Sequence, residues 1–547
     1  MAAAEVGSRR ALKIGRAVAR ALMDSPTYRW TLFGRRPASV SGLPVDPWPG
    51  DPVHGGQIMA GELRLAGDRV RTEGAWRVAA LPEATLAALH GFRWLRDLRA
   101  IGTPAAAMQA RTLVQDWLAI PPLWHPVVWR GDVLGERLFS WLSHADWFAV
   151  GADRGFDQKL LDGLGLGARQ LGRVAGWEVD GEGRLAAIKG LIAIGTCLDG
   201  AERHVRHGLR LLERELPRQI LPDGGHRSRS PRAQAAVLAH LVEIRAALTG
   251  AKRPVPDALT QAIDRAAPML RFFRHADGGL ALFNGTREGD PQWLDAVLVQ
   301  ADAQGKAPAS APHCGFQRLS AERTLAIVDC GAPPPDGYDR GAHAGLLSFE
   351  LSVGRERVIV NCGAHPRGEG EWEQAQRATA AHSTVTIEDR NLAEIVPGGG
   401  IGRRPTAIAC ERREADGAVA LELSHDGYAA VAGITHRRTL YLSAGGDDLR
   451  GEDRLTGAAG RAFAVRFHLH PSVQATTTQG GDTVLLKTPA GMGWRLRAVG
   501  ASLSLADGIY LGGRGDPRRT RQIVLSGTTP EDGALVKWAL QREDRKG

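Results

Sequence analysis

Two different spacings of hydrophobic residues divide the chain. From about residue 75 to residue 275, apolar residues recur every three or four positions, as in "AERHVRHGLRLLEREL", where Val205, Leu209, Leu212 and Leu216 share one face. That spacing is typical of amphipathic helices. The segments "AAVLAHLVEIRAAL" and "EGRLAAIKGLIAIGTCL" repeat it, and glycine-rich turn signals separate them. Paired helices joined by short turns predict an array or toroid of helical hairpins.

Beyond Gly315, apolar residues recur at every second position. The segment "LLSFELSV" places Leu347, Phe349, Leu351 and Val353 on one face, and "STVTIED" continues the alternation. Further short runs of this kind are "AVALELS", "RTLYLS", "AVRFHLHP", "TVLLKTP" and "QIVLSG". Many short strands separated by Gly-Asp and Gly-Gly turns predict an antiparallel β-sandwich.

The change of spacing divides the chain into domains. We predict a basic N-terminal segment at residues 1–40, a helical domain at 41–305 and a sandwich domain at 315–547. The small-residue and proline-rich stretch at 306–314 is interpreted as a linker. A chain of 547 residues is too long for one hydrophobic core, so more than one domain is expected on length alone.

The charge balance indicates a polyanionic partner. The formal net charge is +9 and the isoelectric point is about 9.6. Nucleic acid, anionic polysaccharide and an acidic membrane surface all fit, but no zinc-finger spacing, RNA-recognition phrase or basic recognition helix occurs, so we expect no nucleic-acid partner. Ten of the 14 tryptophans lie at or before Trp177. They either line a sugar cleft or form core.

Cysteine usage and the N-terminus bear on the compartment. The five cysteines are scattered and form no CxxC pair, which is typical of free thiols in a reducing compartment. Lys13, Arg16 and Arg20 interrupt any apolar signal region, and no stretch approaches the roughly 20 apolar residues of a membrane span. We therefore expect a cytoplasmic location. With Val18 and Leu22, the segment is either a basic amphipathic helix at a membrane surface or a docked terminus.

Several phrases resemble the heparinase II/III family of polysaccharide lyases over nearly the whole chain. They are "LHGFRWLRDLRA", "ILPDGGHRSRSP", "HAGLLSFEL", "VNCG", "AHSTVTI", "LSHDGYAAVAGITHRR" and "GEDRL", in that order. The resemblance implies a multidomain α+β fold in which an N-terminal incomplete α/α toroid precedes a C-terminal antiparallel β-sandwich. It also implies a periplasmic or cell-envelope location, in conflict with the N-terminus.

The resemblance further implies cleavage of an acidic glycan by β-elimination beside a uronic acid. The proton at carbon five is a poor acid, so hydrogen-bond donors or a cation must neutralise the adjacent carboxylate. A base then removes that proton, and a general acid protonates the departing oxygen. Cationic side chains would hold the polyanion.

The family can bind a structural zinc through three positions of the sandwich, which correspond here to His343, Asn361 and His382. Asn361 replaces a carboxylate, and an amide oxygen is a weak, neutral zinc ligand. Gly345 also replaces an aspartate of the family phrase. Two interpretations stay open. These residues either bind a zinc ion, or the histidines hydrogen-bond each other or Asn361 without a metal.

The catalytic positions of the family depart from its pattern. In "RGAHAG", Gly341 stands where the family has another histidine, and in "RSPRAQ", Ala233 stands where it has a tyrosine. No tyrosine occurs between Tyr28 and Tyr338. An asparagine is implied in a preceding helix, and near its position we find only Arg184 and Lys189, which we predict to contact substrate.

The junction phrase "ILPDGGHRSRSP" offers replacement candidates. His226 is predicted to act as base or acid, and Arg229 to neutralise a carboxylate through a bidentate pair. Asp223 and Arg227 are predicted to contact substrate. The same phrase fits a turn that caps the next helix with Ser230, and both interpretations can hold together.

The sandwich contributes three further candidates. Tyr428, in "HDGY", is the best substitute phenol, and Tyr338 is a weaker one. We also place His343 among the catalytic candidates. Two alternatives to a rearranged lyase stay open: a glycan-binding or structural protein that has lost catalysis, and a hydrolase with Glu350 and Asp223 as paired carboxylates.

Overall fold

A computed structural model of the protein describes residues 15, 18–19, 21–23, 25–74, 76, 81–120, 125–366, 370–478, 480–513 and 515–543. Lys13, Arg16 and Arg20, on which the predicted N-terminal helix depends, lie outside these residues. The chain forms two compact units. A helical unit contains Met1–Arg218 and Val237–Ile263, and a sandwich unit contains Gln219–Ala236 and Asp264–Gly547. The chain therefore enters the sandwich unit twice.

Helices dominate the first unit, which is an incomplete α/α toroid as predicted. They are α1 (Pro26–Trp30), α2 (Pro52–Met59), α3 (Glu83–Gly91), α4 (Leu95–Ala100), α5 (Pro104–Ala119), α6 (Gly131–Phe148), α7 (Arg154–Val174) and α8 (Gly181–Cys197). The helices α9 (Glu202–Gln219), α10 (Pro231–Gly250) and α11 (Asp257–Phe272) have residues in both units. A small hairpin of β1 (Glu62–Leu65) and β2 (Asp68–Arg71) accompanies them. Among the described helices, none combines the length and hydrophobicity that crossing a membrane requires.

Local signals explain where these helices begin and how closely they pack. Thr103 accepts a hydrogen bond from the Ala106 amide at 3.3 Å and so caps α5, which has proline at its first position. The helices α6 and α8 meet at Gly135 and Gly190, where a Cβ on Gly190 would lie 2.6 Å from the Gly135 Cα. A side chain at either position would push the helices apart.

Several of the clustered tryptophans form core in this unit, whereas Trp30 is exposed. Trp94, Trp129 and Trp141 are almost fully buried, and the Arg137 guanidinium lies 4.5 Å from the ring centroid of Trp117. Burial without a paired carboxylate lowers the pKa of Arg137 to about 9. The aromatic cluster therefore packs the toroid around a buried cation rather than lining an open cleft.

Antiparallel sheets make up the second unit, as predicted. The nine-stranded sheet has the order β17-β18-β13-β7-β6-β5-β4-β3, with β8 also paired to β13. Its strands are β3 (Ser310–Ala311), β4 (Phe316–Ala321), β5 (Thr324–Asp329), β6 (Phe349–Val353), β7 (Glu356–Val360), β8 (Val385–Ile387), β13 (Ala462–Leu469), β17 (Ser502–Tyr510) and β18 (Arg518–Thr528). The short strand β3 falls within the stretch interpreted as a linker.

The eight-stranded sheet has the order β14-β15-β16-β19-β12-β11-β10-β9. Its strands are β9 (Ile408–Ala415), β10 (Ala418–Tyr428), β11 (Ile434–Leu442), β12 (Asp448–Gly457), β14 (Gln474–Thr477), β15 (Thr483–Lys487), β16 (Gly493–Val499) and β19 (Ala534–Arg542). The short helices α12 (Pro291–Ala301), α13 (Glu371–Ala375) and α14 (Ala429–Ala432) lie in the connections. Apolar side chains of both sheets form one core, in which Trp538 contacts Phe349 and Phe467.

The strand β6 differs from its predicted pattern in two respects. Leu347 has a φ of 61° and precedes the strand, so it does not share the face of the later apolar residues. Glu350 and Ser352, on the opposite face, are also buried, because the imidazole of His275 lies 3.0 Å from one and 2.8 Å from the other. A long-range contact covers the face that alternation alone would leave to solvent.

A buried polar network joins strands of the eight-stranded sheet. The Asp453 carboxylate accepts hydrogen bonds from His436 Nε2 at 2.8 Å, Arg438 Nε at 2.7 Å and Trp538 Nε1 at 3.0 Å. Burial alone would raise the pKa of Asp453, but Arg438 and His436 hold it well below its usual range. Arg438 also donates to the carbonyl oxygen of Ser383 at 3.0 Å. The ion pair thus supports backbone next to the candidate site.

We predict that Asp453→Asn destabilises the protein. The substitution keeps the size of the side chain but leaves the fully buried Arg438 without its counter-charge, which costs about 3–5 kcal/mol. Urea unfolding followed by circular dichroism measures the change. The matched control is Asp507→Asn, because the Asp507 side chain is 99% exposed. Equal stability of the two variants would contradict the prediction.

Candidate functional site

The junction phrase forms a tight loop, residues 221–230, in the sandwich unit. The Asp223 carboxylate accepts hydrogen bonds from the Gly225 amide at 3.1 Å and the Cys314 amide at 2.7 Å. Gly224 has a φ of 84°, and a Cβ there would lie 2.0 Å from the Arg265 carbonyl oxygen. Glycine is therefore required at this turn, and the carboxylate of Asp223 serves to hold the loop.

His226 lies at the centre of this loop and faces Tyr338. Its Nε2 lies 3.3 Å from Gln219 Oε1, and its Nδ1 lies 2.7 Å from the Ser228 hydroxyl. Because the amide oxygen can only accept, Nε2 carries the proton and Nδ1 accepts. The ring centroids of His226 and Tyr338 are 5.9 Å apart at an interplanar angle of 70°. Tyr338 is half-buried, so its ring also borders solvent.

Arg229 connects the loop to the neighbouring strands. Its guanidinium donates to the carbonyl oxygens of Cys314, Gly315, Gly331 and Ala332 at 2.7–2.9 Å. It also forms a buried ion pair with Asp329. All three nitrogen atoms are engaged, so the side chain has no donor left that points to solvent.

Asn284 joins the junction loop to the segment that carries His343. Its amide nitrogen donates to the Arg229 carbonyl oxygen at 2.9 Å, and its amide oxygen accepts from the His343 amide at 3.0 Å. The side chain is buried, and its backbone has a φ of 45°, a conformation that asparagine tolerates. The junction loop and the segment that carries His343 therefore belong to one hydrogen-bonded cluster.

His343 and His382 form a chain of hydrogen bonds with defined proton positions. The Gly285 amide donates to His343 Nε2 at 3.0 Å, so His343 Nδ1 carries the proton and donates to His382 Nε2 at 3.0 Å. His382 Nδ1 then donates to the Ala378 carbonyl oxygen at 2.8 Å. Burial and the neighbouring imidazole lower the pKa of His343 well below its usual value, and burial lowers the pKa of His382 to about 4. Both rings are neutral at pH 7.

Tyr428 lies apart from this cluster, at the end of β10. Its side chain is fully buried, and its hydroxyl donates to the Val385 carbonyl oxygen at 2.7 Å. Burial raises the pKa of this phenol. A phenol with a raised pKa and no exposed atom is poorly placed to remove a proton from a glycan.

The two cations predicted in the preceding helix lie in the helical unit and are also engaged. Lys189 is fully buried, and its ammonium lies 3.0 Å from both carboxylate oxygens of Glu136 and 2.7 Å from Glu243. Arg184 pairs with Glu215 and Asp180, each at 2.8 Å. Ion pairing inside the toroid thus accounts for both side chains.

Comparison with known proteins identifies the family of the chain that carries this cluster. Residues 303–539 match the family model described as Heparinase II/III-like, C-terminal. A relative in Caulobacter vibrioides (strain NA1000 / CB15N), the FtsZ-localized protein C, is 33% identical over 551 residues, which cover 96% of this chain and 94% of the relative. The chain belongs to the heparinase II/III family.

Solved structures agree with this family fold. The crystal structure of heparinase III superposes with a TM-score of 0.70 at 15% identity, covering 85% of this chain and 79% of that one. The heparan sulfate lyase HepC from Pedobacter heparinus gives a TM-score of 0.61 at 16% identity, covering 98% of this chain and 91% of that one. At these identities the likeness concerns the fold, and activity has to be argued from the site.

Gly341 and Ala233 stand where the resemblance implies a histidine and a tyrosine. Gly341 lies at an open point, where an added Cβ would meet no atom within 4 Å. Ala233 lies in the first turn of α10 and is buried.

The residues at the family's zinc position do not fit the metal. His343 and His382 use their facing nitrogens in a hydrogen bond to each other, and a Cβ on Gly345 would lie 2.6 Å from the His382 ring. Asn361 Oδ1 accepts from the Ser383 amide at 3.0 Å, and Asn361 Nδ2 is buried without a hydrogen-bond partner in the described part of the chain. A zinc ion needs lone pairs and a compensating charge, and this set presents a proton and a neutral amide. Across the described ranges, no three His, Cys, Asp or Glu side chains converge as metal ligands.

Sequence reasoning missed two parts of the cluster. Asn284 belongs to no recognised motif. The only signal is that asparagine before Gly285 in "LFNGT" is typical of a turn and so of an unusual backbone conformation. The approach of Tyr338 to His226 has no local signal, because the two residues are separated by more than 100 positions. Both contacts depend on tertiary packing.

We predict that His382 makes stability depend on pH. The unfolded chain binds a proton at this imidazole near pH 6.5, whereas the folded chain does so only near pH 4. The stabilisation is complete above pH 6.5 and is lost as the pH falls toward 4, by about 3 kcal/mol. Urea unfolding of wild type and His382→Gln at pH 7.5, 6.0, 5.0 and 4.5 should show a shallower pH dependence in the variant.

The control for this measurement is His313→Gln, because His313 is exposed. That variant should keep the pH dependence of wild type. A pH dependence of His382→Gln as steep as that of wild type would overturn the assignment of a neutral, buried His382.

Proposed function

We propose that this protein binds an acidic, uronic-acid-containing glycan and has lost the family's elimination chemistry. The observation that carries the proposal is the bonding of Arg229, whose nitrogens donate to four carbonyl groups and to Asp329. Releasing this guanidinium to a substrate would leave Asp329 as an unpaired buried carboxylate, which costs about 3–5 kcal/mol. The resemblance implies two further groups for elimination, a histidine and a tyrosine. Gly341 and Ala233 stand in their positions.

The net charge and the family indicate which class of ligand the protein binds. The chain has a formal net charge of +9, and similar structures carry the names heparinase III and heparan sulfate lyase. We extend the acidic-glycan ligand of those proteins to this chain, but not their reaction. Arg227 is half-buried in the junction loop, and Arg340 is exposed two residues from Tyr338. These two cations are the proposed contacts to the glycan carboxylates.

The second candidate function is β-elimination with a replaced base, and the contact of Tyr338 with His226 favours it. A half-buried phenol beside a neutral imidazole supplies one group to remove a proton and another to return it. Hydrolysis has no comparable support. Glu350 is fully buried against His275, and Asp223 holds the junction loop.

A glycan panel separates these candidates. Full-length protein is applied to immobilised heparin, alginate and chondroitin sulfate, and eluted with salt, while the same glycans in solution are monitored for the ultraviolet absorbance of unsaturated uronate. We expect retention on at least one glycan without new absorbance. Arg227→Ala/Arg340→Ala should weaken retention roughly fivefold, the equivalent of about 1 kcal/mol, while Arg355→Ala, an exposed arginine in the β6–β7 turn, should not.

Each result of the panel decides between the candidates. Absorbance that rises in wild type and disappears in Tyr338→Phe would establish elimination through the Tyr338–His226 pair. Absence of retention on every glycan would refute binding. Gain of absorbance in Gly341→His/Ala233→Tyr would support loss of catalysis at these two positions.

We further propose that the N-terminal part of the helical unit contacts a membrane surface. Leu22, Trp30 and Phe33 are 63%, 73% and 74% exposed, and the exposed Arg35 and Arg36 follow directly, Arg36 being paired with Asp162. Large apolar side chains rimmed by cations are typical of peripheral attachment to anionic lipid. The cysteines of the described chain are free, in keeping with a reducing, cytoplasmic side of that membrane. The name of the Caulobacter relative supports a location at FtsZ for this chain as well.

We predict that the full-length protein sediments with vesicles of phosphatidylcholine and phosphatidylglycerol, and less with phosphatidylcholine alone. Trp30→Ala/Phe33→Ala should reduce the bound fraction at least about tenfold, since each buried aromatic contributes about 1.5 kcal/mol or more. The matched control is Met108→Ala/Val150→Ala, two exposed apolar side chains elsewhere in the helical unit. Unchanged binding of the aromatic variant would exclude this surface.

A further inference from the structure

A cavity of about 560 Å³ lies within the helical unit, between the segment of residues 34–38, α7 and the start of α9. Its volume lies in the range of sites for small ligands. The charged side chains of its lining are Arg35, Arg36, Arg169, Asp199 and Arg203. Cations therefore outnumber anions along the lining.

One of these cations is neutralised by a neighbouring carboxylate. Arg36 forms an ion pair with Asp162 at 2.5 Å, so it adds no net charge to the cavity. Asp199, which accepts a hydrogen bond from the Ser39 hydroxyl, is the one carboxylate that the described residues contribute to the lining. It is the only charge in the cavity that opposes the remaining arginines.

The other three arginines lack a counter-charge. Arg35, Arg169 and Arg203 have no carboxylate partner among the residues that the structure describes. Three unpaired cations against the single carboxylate of Asp199 leave an excess of two positive charges. Like charges gathered in a concave site concentrate a positive potential there, and such a potential attracts an anion.

These arginines also keep donors that the protein does not use. Arg169 Nε donates to the Leu32 carbonyl oxygen, and Arg169 Nη1 donates to the Arg35 carbonyl oxygen at 3.3 Å. Arg169 Nη2 has no hydrogen-bond partner in the described ranges and is open to solvent. Arg203 is exposed and uses only Nε, which donates to His204 Nε2 at 3.4 Å. Both terminal nitrogens of Arg203 thus remain available to a ligand.

The pKa values of two lining residues agree with an uncompensated positive potential. Burial, followed by the charges of Arg203 and His207, lowers the pKa of His204 to about 4. Burial and the charge of Arg203 also lower the pKa of Arg169, although Asp162 acts in the opposite direction. An anion in the cavity would relieve this repulsion.

We propose that this cavity binds a phosphate monoester group. Such a group carries about −1.5 to −2 charges at pH 7, which matches the excess of two positive charges. Its oxygens accept hydrogen bonds from the free nitrogens of Arg169 and Arg203, and guanidinium groups suit phosphate geometry. A carboxylate or a phosphodiester supplies only one charge and leaves the cavity positive.

Two sources supply this chemistry: a soluble phosphorylated molecule and the headgroup of phosphatidate in a membrane. The cavity has room for more than the phosphate, and Pro37, Ala168 and Leu198 provide apolar surface for the group attached to it. The site shares Arg35 and Arg36 with the proposed membrane surface. Binding of a soluble monoester nevertheless depends neither on that surface nor on the proposed binding of an acidic glycan.

Isothermal titration calorimetry on the full-length protein tests the site with inorganic phosphate, glycerol 3-phosphate, glucose 6-phosphate and AMP. Glycerophosphoglycerol and glucuronate serve as singly charged comparisons at the same salt concentration. We expect at least one monoester to bind, and both comparisons to bind at least about tenfold more weakly. In a second arm, the protein is sedimented with phosphatidylcholine vesicles that contain phosphatidate or phosphatidylglycerol.

A pair of variants separates the site from general charge attraction. Arg203→Gln should weaken monoester binding about tenfold, as expected for the loss of charge-assisted hydrogen bonds. The matched control is Arg206→Gln, because Arg206 is an exposed arginine of α9 outside the lining. Both substitutions remove one positive charge from the surface of the same helix, so the control should bind as wild type does.

Each outcome supports or overturns the site. Binding of soluble monoesters that Arg203→Gln weakens supports the site with a soluble ligand. Sedimentation with phosphatidate vesicles in preference to phosphatidylglycerol, lost in Arg203→Gln, supports the lipid headgroup as the source. Absence of both signals would refute the proposal, and so would equal binding of Arg203→Gln and Arg206→Gln or binding of glycerophosphoglycerol as tight as that of the monoesters.

Two further measurements keep this proposal distinct from the others. Arg203→Gln should be retained on anionic glycans as wild type is, because the proposed glycan contacts are Arg227 and Arg340. Trp30→Ala/Phe33→Ala should keep the affinity of wild type for soluble monoesters, since neither aromatic residue lines the cavity. Loss of monoester binding in that aromatic variant would overturn the assignment of the ligand to this cavity.

Discussion

The buried guanidinium group of Arg229 is the interaction on which the candidate site depends. It collects the carbonyl groups of two separate loops and pairs with Asp329, and its own carbonyl is held by Asn284. A cation removed from water is tolerated only where every donor finds an acceptor and the charge is balanced. The loop that carries His226 therefore takes its shape from a side chain that the sequence suggested as a ligand for substrate.

The same pattern recurs at three other residues for which the sequence suggested chemistry. Lys189 lies between two glutamates, Asp223 holds backbone amides, and the phenol of Tyr428 is bonded to a carbonyl. Each of these groups is bonded within the protein. Tyr338 is half-buried, and its ring lies beside the imidazole of His226.

Much of the fold could be predicted from local spacing, because helices and strands bury one face with a fixed period. The helical phrase around Val205 forms α9, and the alternating phrase around Phe349 forms β6. Two features of β6 and its approach could not be predicted: Leu347 adopts a left-handed backbone, and His275 from a distant loop covers Glu350. No periodicity encodes such a partner.

The candidate site was predictable to a smaller degree, for the same reason. The resemblance located His343, Asn361 and His382 together, and the structure brings the two histidines into contact. Which nitrogen carries the proton depends on Gly285 and Ala378, two backbone groups that sequence cannot place. The sequence shows which residue types are present. Which of their atoms carry protons, and which partners they bond, depends on how the folded protein packs.

The path of the chain between its two units has a consequence for inheritance. Gln219–Ala236 belongs to the sandwich unit, although the residues on both sides of it belong to the helical unit. Most domains are continuous segments that recombination can exchange with one breakpoint at each end. Here, transfer of the sandwich unit from residue 264 onward would leave behind the loop that carries His226 and Arg229. A sandwich transferred in that way would keep Asp329 but lose Arg229, its partner in the buried ion pair.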